Sequence, residues 1–438
     1  MKNKKAIPAI VVLALLAIAG IAAWIYQLAN GLAVTGMNNG TSWGLYIISF
    51  MFFVGLSAGG LIVASSAAVF GVKEYKKVAK PAVLLSTVCI VAAAGFVIID
   101  LGGVQRVFNL ITHANFTSPL MWDVFVITLY LIINIIYLVL MRRPNTNERM
   151  LAITSRFALP IAILVHSVTA WIFGLQIAKL GWYSTIMAPL FVASALDSGL
   201  ALLLIVLVIL NATRLFETSR KLLASLAGLL VVCIAVDAFM VLSEVLTLAY
   251  PTGSEHAALA GLLLTGEAAP LFWGEVVLGV VVPFLLLVTA RARQSTPLVV
   301  VASLLVLVGV YLKRAWLLLT SFAAFNIEGA PGVAFGHSAL GGTDMWSLAG
   351  SYTPTWVEGL IVVGVVALAA LLYVLFAPRL LAASPEETIE SAAVSAATAG
   401  AATAGAPAGD MAGVSSSVGD MAVVDPLTSE SAPEVVPA

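Results

Sequence analysis

The chain of 438 residues is 61% hydrophobic and only 10% charged, and its mean hydropathy is +1.08. A soluble domain carries about 25% charged residues, so this composition leaves too little polar surface for a water-soluble particle and favours a lipid bilayer. The net charge of −1 offers no basic surface for nucleic acid. Cys89 and Cys233 lie in apolar runs without a CxxC or CxxCH motif, so we expect no haem, iron–sulfur cluster or metal in this chain.

Apolar runs of roughly 17 to 25 residues, the length that an α-helix needs to cross a bilayer, follow one another along the chain. They predict an all-α fold, a polytopic transmembrane helix bundle of about ten helices. The predicted spans are 6–27, 45–71, 79–101, 119–141, 157–178, 188–210, 221–248, 272–290, 297–320 and 356–377.

Lysine and arginine favour the cytoplasmic loops of a membrane protein, and here they alternate along the chain. Of the 21 present, 17 lie before the first predicted helix, after the last, or in every second loop. The other four are Arg106, Lys179, Lys313 and Arg314. An even helix count in the inner membrane, with both termini cytoplasmic, explains the pattern. A cleaved signal peptide at residues 1–27 is the alternative, but the apolar run of about 18 residues favours a retained helix.

Two segments differ from the predicted helices. Residues 381–438 are rich in Ala, Gly, Ser and Pro and carry only acidic charges, which predicts a disordered cytoplasmic tail after a transmembrane domain of residues 1–380. The last outer loop, 321–355, contains Glu328, His337, Asp344 and Trp346. A loop of this length is typical of partner docking, although packing as a lid is an equal alternative.

Ionisable side chains inside spanning helices are costly and point to function. With the predicted topology, His166, Asp197 and Asp237 reach roughly 14 to 18 Å below the outer ends of three consecutive helices. A histidine and a carboxylate at one depth can exchange protons near neutral pH. Glu244 lies two turns from Asp237 on the same helix face, so the two could form a proton path to the outer surface. The alternative is that these groups only pair with Lys313, Arg314 or hydroxyls and hold helices together.

Four further carboxylates lie near the predicted outer helix ends. Glu275 and Glu358 are expected either to pair within the bundle or to be solvated at the interface. Asp100 and Asp123 flank a short outer loop and are expected to be interfacial.

Several short motifs follow one another between residues 39 and 210. They are Ser42–Tyr46, Phe53–Gly60, Asp100–Gly102 with Arg106, Ser118–Pro119 with Trp122–Asp123, His166–Val168 with Trp171 and Phe173, and Ser194–Gly199. In this order they resemble the NrfD/PsrC family of quinone-interacting membrane subunits, in its ten-helix branch. The rest of the chain is similar to that family only as hydrophobic helices.

The resemblance implies a core of two four-helix bundles and a quinone or menaquinone site. It makes His166 and Asp197 the catalytic pair, which would bond a quinone oxygen or accept a quinol proton. The cofactor-binding residues that it implies are Asn39, Ser42, Trp43, Arg106, Trp122 and Trp171. Some relatives have a histidine before the Trp-Gly of the second helix, and Ser42 takes its place here.

The resemblance also implies a function and partners. The subunit would oxidise or reduce quinol near the outer face and exchange electrons with a ferredoxin-like iron–sulfur subunit, which would serve a molybdopterin catalytic subunit. The alternatives are a passive membrane anchor of such a complex and a secondary transporter. Midplane charges suit a transporter, but inverted repeats and broken helix pairs are not evident in the sequence.

Overall fold

A computed structural model describes residues 7–69, 72–143, 146–251, 255–323 and 351–381. The predicted tail beyond Leu381 lies outside these residues, as do Glu328, His337, Asp344 and Trp346 of the last outer loop.

The described residues form an all-α fold, as predicted, and ten of their helices are long and apolar enough to cross a membrane. These are α1 (Ile7–Asn30), α2 (Leu45–Val69), α3 (Ala79–Asp100), α4 (Pro119–Arg142), α5 (Glu148–Gly174), α6 (Met187–Ala212), α7 (Arg220–Ala249), α8 (Ala269–Leu287), α9 (Thr296–Ala323) and α10 (Trp356–Leu380). Two short helices, Val107–Thr112 and Glu255–Leu264, lie in the connections.

Two helices begin earlier than the apolar runs indicate. Helix α5 begins at Glu148 rather than near residue 157, because the side chain of Asn147 accepts a hydrogen bond from the backbone of Arg149 and caps a polar first turn. Helix α8 begins at Ala269 rather than near residue 272, and its middle, Glu275–Val281, is a π-helix. Such wider turns are frequent at functional sites.

Helix α2 lies at the centre and packs on α3, α5 and α6. Helix α6 also packs on α7 and α9, α9 packs on α8, and α1 packs on α10, which contacts α3. Glycines permit the closest crossings, as is usual where lipid removes the hydrophobic drive for helix association. A Cβ atom at Gly59 of α2 would lie 2.1 Å from the carbonyl oxygen of Ala195 in α6. The division into two four-helix bundles stays a prediction.

The connections meet at two ends of the bundle. At one end, the α1–α2 connection is bound to the start of α10: Glu358 accepts from the Gly36 amide at 2.8 Å, and the Tyr352 hydroxyl donates to Glu358 at 2.6 Å. Burial and the neighbouring Glu358 carboxylate raise the pKa of Tyr352, so its hydroxyl stays protonated and able to donate. At the other end, Lys76 pairs with Glu148. The basic connections share this second end, as the charge alternation predicts, and its assignment to the cytoplasm stays a prediction.

Candidate functional site

Five charged side chains meet inside the helical bundle, and none of them is more than 2% exposed. We call them the charge cluster: Asp197 of α6, Asp237 of α7, Glu275 of α8, and Lys313 and Arg314 of α9. Charges in a low-dielectric interior are stable only when opposite charges and hydrogen bonds compensate their lost hydration. The contacts of the two bases therefore define the site.

Lys313 holds the part of the charge cluster that faces α7 and α8. Its ammonium group donates to Asp237 in a short contact and lies 3.0 Å from Oε1 of Glu275. The other oxygen of Glu275 accepts a hydrogen bond of 2.6 Å from the indole of Trp316, one turn further along α9. One lysine thus joins three helices through two carboxylates.

Arg314 faces α5 and α6 instead. One terminal nitrogen of its guanidinium group donates to the Ser194 hydroxyl at 2.5 Å and lies 3.2 Å from Nε2 of His166. The guanidinium carbon lies 3.9 Å from the ring centroid of Phe191, a cation–π contact. Consecutive helix residues point about 100° apart, which is why adjacent bases reach different neighbours.

The contacts of His166 connect this site to α2. Its ring lies beside Phe191, with 5.4 Å between centroids, and a Cβ atom at Gly55 would lie 3.4 Å from its Cε1. Arginine can only donate hydrogen bonds, so Nε2 of His166 acts as the acceptor, and a neutral ring carries its proton on Nδ1. His166 and Asp197 were predicted to share one depth and to exchange protons, and the hydrogen bond found for His166 goes to Arg314.

Several polar atoms at this site have no hydrogen-bonding partner among the described residues. They are Oδ1 of Asp197, Oδ1 of Asp237, Nδ1 of His166, and Nε and one terminal nitrogen of Arg314. The site thus combines free acceptors with free donors. Its three carboxyl groups also outnumber its two strong bases, so the charge cluster is electrically neutral when it holds one additional proton.

A row of aromatic rings leads from the bundle end at α2 to the charge cluster. Trp43 stacks on Trp182 at 5.9 Å and meets the edge of Phe173 at 5.8 Å between centroids. Phe173 in turn lies 6.3 Å from Phe191, the ring that contacts both His166 and the guanidinium group. Trp43, one of the predicted cofactor-binding residues, is therefore connected to His166 through the rings of Phe173 and Phe191.

The other predicted pocket residues lie further out. Asn39 and Ser42 are exposed in the connection before α2, and Arg106 is exposed in the turn Val104–Arg106. Trp122 of α4 and Trp171 of α5 are 37% and 36% exposed. These five residues lie on the surface and do not line the charge cluster.

Asp237 and Glu244, the predicted proton path, have different surroundings. Asp237 is buried and bound to Lys313, whereas Glu244 accepts a hydrogen bond of 2.7 Å from Ser184 near the bundle end. Glu244 and Trp316 line one cavity of about 20 Å³, enough for one water. Because Trp316 also donates to Glu275, this cavity links the surroundings of Glu244 to the charge cluster.

The structure decides between the alternatives for Glu275 and Glu358 and corrects the interfacial prediction for Asp123. Glu275 is 1% exposed and belongs to the charge cluster, which confirms the paired alternative for this residue. Glu358 is also buried, and pairs with Tyr352 and the Gly36 amide. Asp123 was expected at the interface, but it is 4% exposed and accepts a hydrogen bond from Thr169 at 2.7 Å, because α5 covers the first turns of α4.

Lys313 and Arg314 were expected only as possible partners of the buried carboxylates. The signal that could have predicted their role is their position in the sequence. They are two adjacent bases inside an apolar helix, in its predicted outer half, where lysine and arginine are otherwise rare in this chain. The structure makes them the centre of the site.

The described part of the chain contains ten helices apolar enough to cross a membrane and a buried cluster of charges, which together define a multi-pass membrane protein. Residues 33–326, which hold the whole charge cluster, match the family described as "Polysulphide reductase, NrfD", and the chain belongs to that family. The resemblance predicted from the motifs is thereby confirmed.

Three relatives match most of the chain. A putative membrane subunit of dimethyl sulfoxide reductase from Halobacterium salinarum is 38% identical, over 82% of this chain and 88% of its own length. An Hdr-like menaquinol oxidoreductase integral membrane subunit from Archaeoglobus fulgidus is 28% identical over 86% of this chain and 94% of its own. A selenate reductase subunit from Mesobacillus selenatarsenatis is 24% identical over 73% and 83%.

Proposed function

We propose that this protein is the quinone-reactive membrane subunit of a respiratory oxidoreductase complex in the inner membrane. The observation that carries the proposal is the buried group of free donors and acceptors around His166, Asp197 and Arg314. One matching relative is named as a menaquinol oxidoreductase integral membrane subunit, and another, which matches 30% of this chain, as a menaquinone reductase integral membrane subunit; both names support menaquinone as the quinone. Quinol oxidation releases two protons and two electrons, so its site needs groups that bond oxygen and take up protons.

In this proposal His166 bonds the quinone oxygen and Asp197 takes up the proton. Because Nε2 of His166 faces Arg314, the neutral ring would donate from Nδ1 to a quinone oxygen. Oδ1 of Asp197 is buried and free, and would accept a proton from quinol. Hydrogen bonding by the ring and proton uptake by the carboxylate match the two roles that the family resemblance implies.

The surface residues of the predicted pocket would guide quinone from lipid to this site. Trp122 and Trp171 are partly exposed on the helical surface, and Asn39, Ser42 and Arg106 are polar groups at the same bundle end. Trp43 would begin the aromatic route inward, since its ring connects through Phe173 and Phe191 to His166. These side chains are proposed binding residues with no part in the proton transfer.

A proton released at Asp197 would leave through the rest of the charge cluster. Asp197 interacts electrostatically with Asp237 and Lys313, and Lys313 also binds Glu275. The cavity between Trp316 and Glu244 would carry the proton on to the outer surface. This route includes the Asp237 and Glu244 pair predicted from helix spacing, with Lys313 and Glu275 between them.

Electrons would pass to an iron–sulfur subunit at the outer face and from there to a molybdopterin subunit. Relatives named as subunits of dimethyl sulfoxide and selenate reductases support a catalytic partner of this kind. The predicted topology, with both termini in the cytoplasm, puts the site in the outer half, near such a partner. Electron flow in either direction is compatible with the same residues.

Replacement of His166 or Asp197 by alanine tests the proposal in the assembled complex. Quinol-dependent electron transfer should fall by about 100-fold or more in each variant, since a positioned proton-transfer group contributes that much. His256→Ala, at an exposed position of the short helix Glu255–Leu264, is the matched control and should keep full activity. Co-purification of the partner subunits reports assembly. Normal turnover in both variants would contradict the proposal and favour a passive anchor, and failure to isolate any oxidoreductase partner would favour a transporter.

A further inference from the structure

Arg314 carries a buried charge without a direct ion pair, although the carboxylates of the charge cluster lie near enough to interact with it electrostatically. The side chain is 0% exposed, and an arginine stays protonated in a protein. Its observed partners, Ser194 and His166, are uncharged in this geometry, and two of its nitrogens have no acceptor. In the part of the chain that the structure describes, no carboxylate lies within 4 Å of it, whereas Lys313 next to it contacts two.

This arrangement suits an anionic oxygen better than a neutral one. A guanidinium group offers several donors in one plane, and hydrogen bonds from it to a charged oxygen are roughly twice as strong as those between neutral groups. The unpaired nitrogens of Arg314 lie in the same cluster as the free Oδ1 of Asp197. Asp197 is three residues from Ser194 on α6, so both share a helix face, and Ser194 binds Arg314.

We propose that Arg314 binds the negatively charged oxygen of ionised hydroquinone, and so favours loss of the first quinol proton before any electron leaves. This inference rests on the proposed function. In the step, one O–H bond of the hydroquinone breaks and a new O–H bond forms on the Asp197 carboxylate. The electron pair stays on the hydroquinone oxygen, which Arg314 stabilises, and no oxidant takes part. The reaction carries no change in total charge, because the proton moves within the site.

Two matched probes distinguish recognition of the ligand's negative charge from recognition of its shape. The compound 2-heptyl-4-hydroxyquinoline N-oxide has an acidic hydroxyl group and resembles a quinol, and 2-heptyl-4-quinolone lacks that group and stays neutral. Both are titrated by fluorescence against the assembled complex in its membranes, for the parent protein and for Arg314→Gln and Arg314→Lys. Arg149→Gln, an exposed arginine at the opposite end of the bundle, is the control.

We expect Arg314→Gln to weaken binding of the ionised N-oxide by about tenfold or more, with less than about threefold change for the neutral quinolone. Arg314→Lys should retain part of the preference because the charge remains. The difference between the probes should grow as rising pH ionises the N-oxide. Arg149→Gln should leave both affinities unchanged.

The other outcomes overturn the inference in distinguishable ways. Equal losses for both probes in Arg314→Gln would make Arg314 a residue that only maintains the shape of the site. Unchanged binding of both probes in that variant would show that Arg314 does not contact the ligand. If the parent complex binds neither probe, the proposed quinone site itself is contradicted, and the inference fails with it.

Discussion

Removal of Lys313 should destabilise the protein strongly, because two buried carboxylates depend on one ammonium group. At the 3.0 Å that separates Nζ of Lys313 from Oε1 of Glu275, an effective dielectric constant of 20 gives an attraction of roughly 5–6 kcal/mol. The cost of dehydrating the charges offsets part of this. Loss of one member of a buried ion pair costs about 3–5 kcal/mol, and we expect Lys313→Met to reach the upper part of that range because Asp237 is also left unpaired.

The free energy of unfolding can be measured by titration of the purified protein with sodium dodecyl sulfate, followed by circular dichroism. The matched control is Lys76→Met, which removes an exposed lysine lying 3.3 Å from Glu148 and should cost less than about 1 kcal/mol. Combining Lys313→Met with Asp237→Asn and Glu275→Gln removes the uncompensated charge and should restore most of the stability. A Lys313→Met protein that unfolds at the same detergent concentration as the Lys76→Met control would show that Lys313 does not stabilise the two buried carboxylates.

Two further changes test how the helices are held together. Gly309→Leu places a Cβ 2.1 Å from the backbone of the facing glycine on α8, and should cost about 1–3 kcal/mol in the same titration, whereas Gly95→Leu, which meets open space, should be nearly neutral. Tyr352→Phe removes the hydroxyl that donates to Glu358 and accepts from the Leu45 amide, and should cost about 1–3 kcal/mol and speed hydrogen exchange at Leu45. Equal stability of the two leucine variants, or unaltered exchange at Leu45, would contradict these expectations.

The helices themselves were predictable because each contains a long apolar run, but their ends were less so. The first turn of α5, with Glu148 and Arg149, is too polar to belong to such a run, and its helical state depends on the Asn147 cap. The early start of α8 had a larger effect. Glu275 lies roughly 9 Å along the helix from the observed start at Ala269, whereas it would lie only roughly 4–5 Å from the predicted start near residue 272. Because of this greater depth, its carboxylate lies in the charge cluster and not at the interface.

The contacts of the candidate site depend on helix arrangement, which one sequence does not contain. Helix geometry predicts that the adjacent residues Lys313 and Arg314 point in different directions, but not which helix lies in either direction. His166 and Asp197 were predicted to share a depth because loop charges set the topology. Contact of His166 with Arg314 further depends on α9 packing against α6, a neighbour distant in the chain.

The pairing of α1 with α10 has a consequence for how the protein is made. Only 17% of the most apolar stretch of α1 is buried, and its main neighbour among the described helices is α10, across a crossing where Gly20 meets Gly364. Synthesis proceeds from the N-terminus, so α1 enters the bilayer long before its partner exists. Until α10 is inserted, α1 remains in contact with lipid on the face that α10 later covers. Docking of α10 is therefore the event that buries this face of α1 and fixes the α1–α2 connection through Glu358.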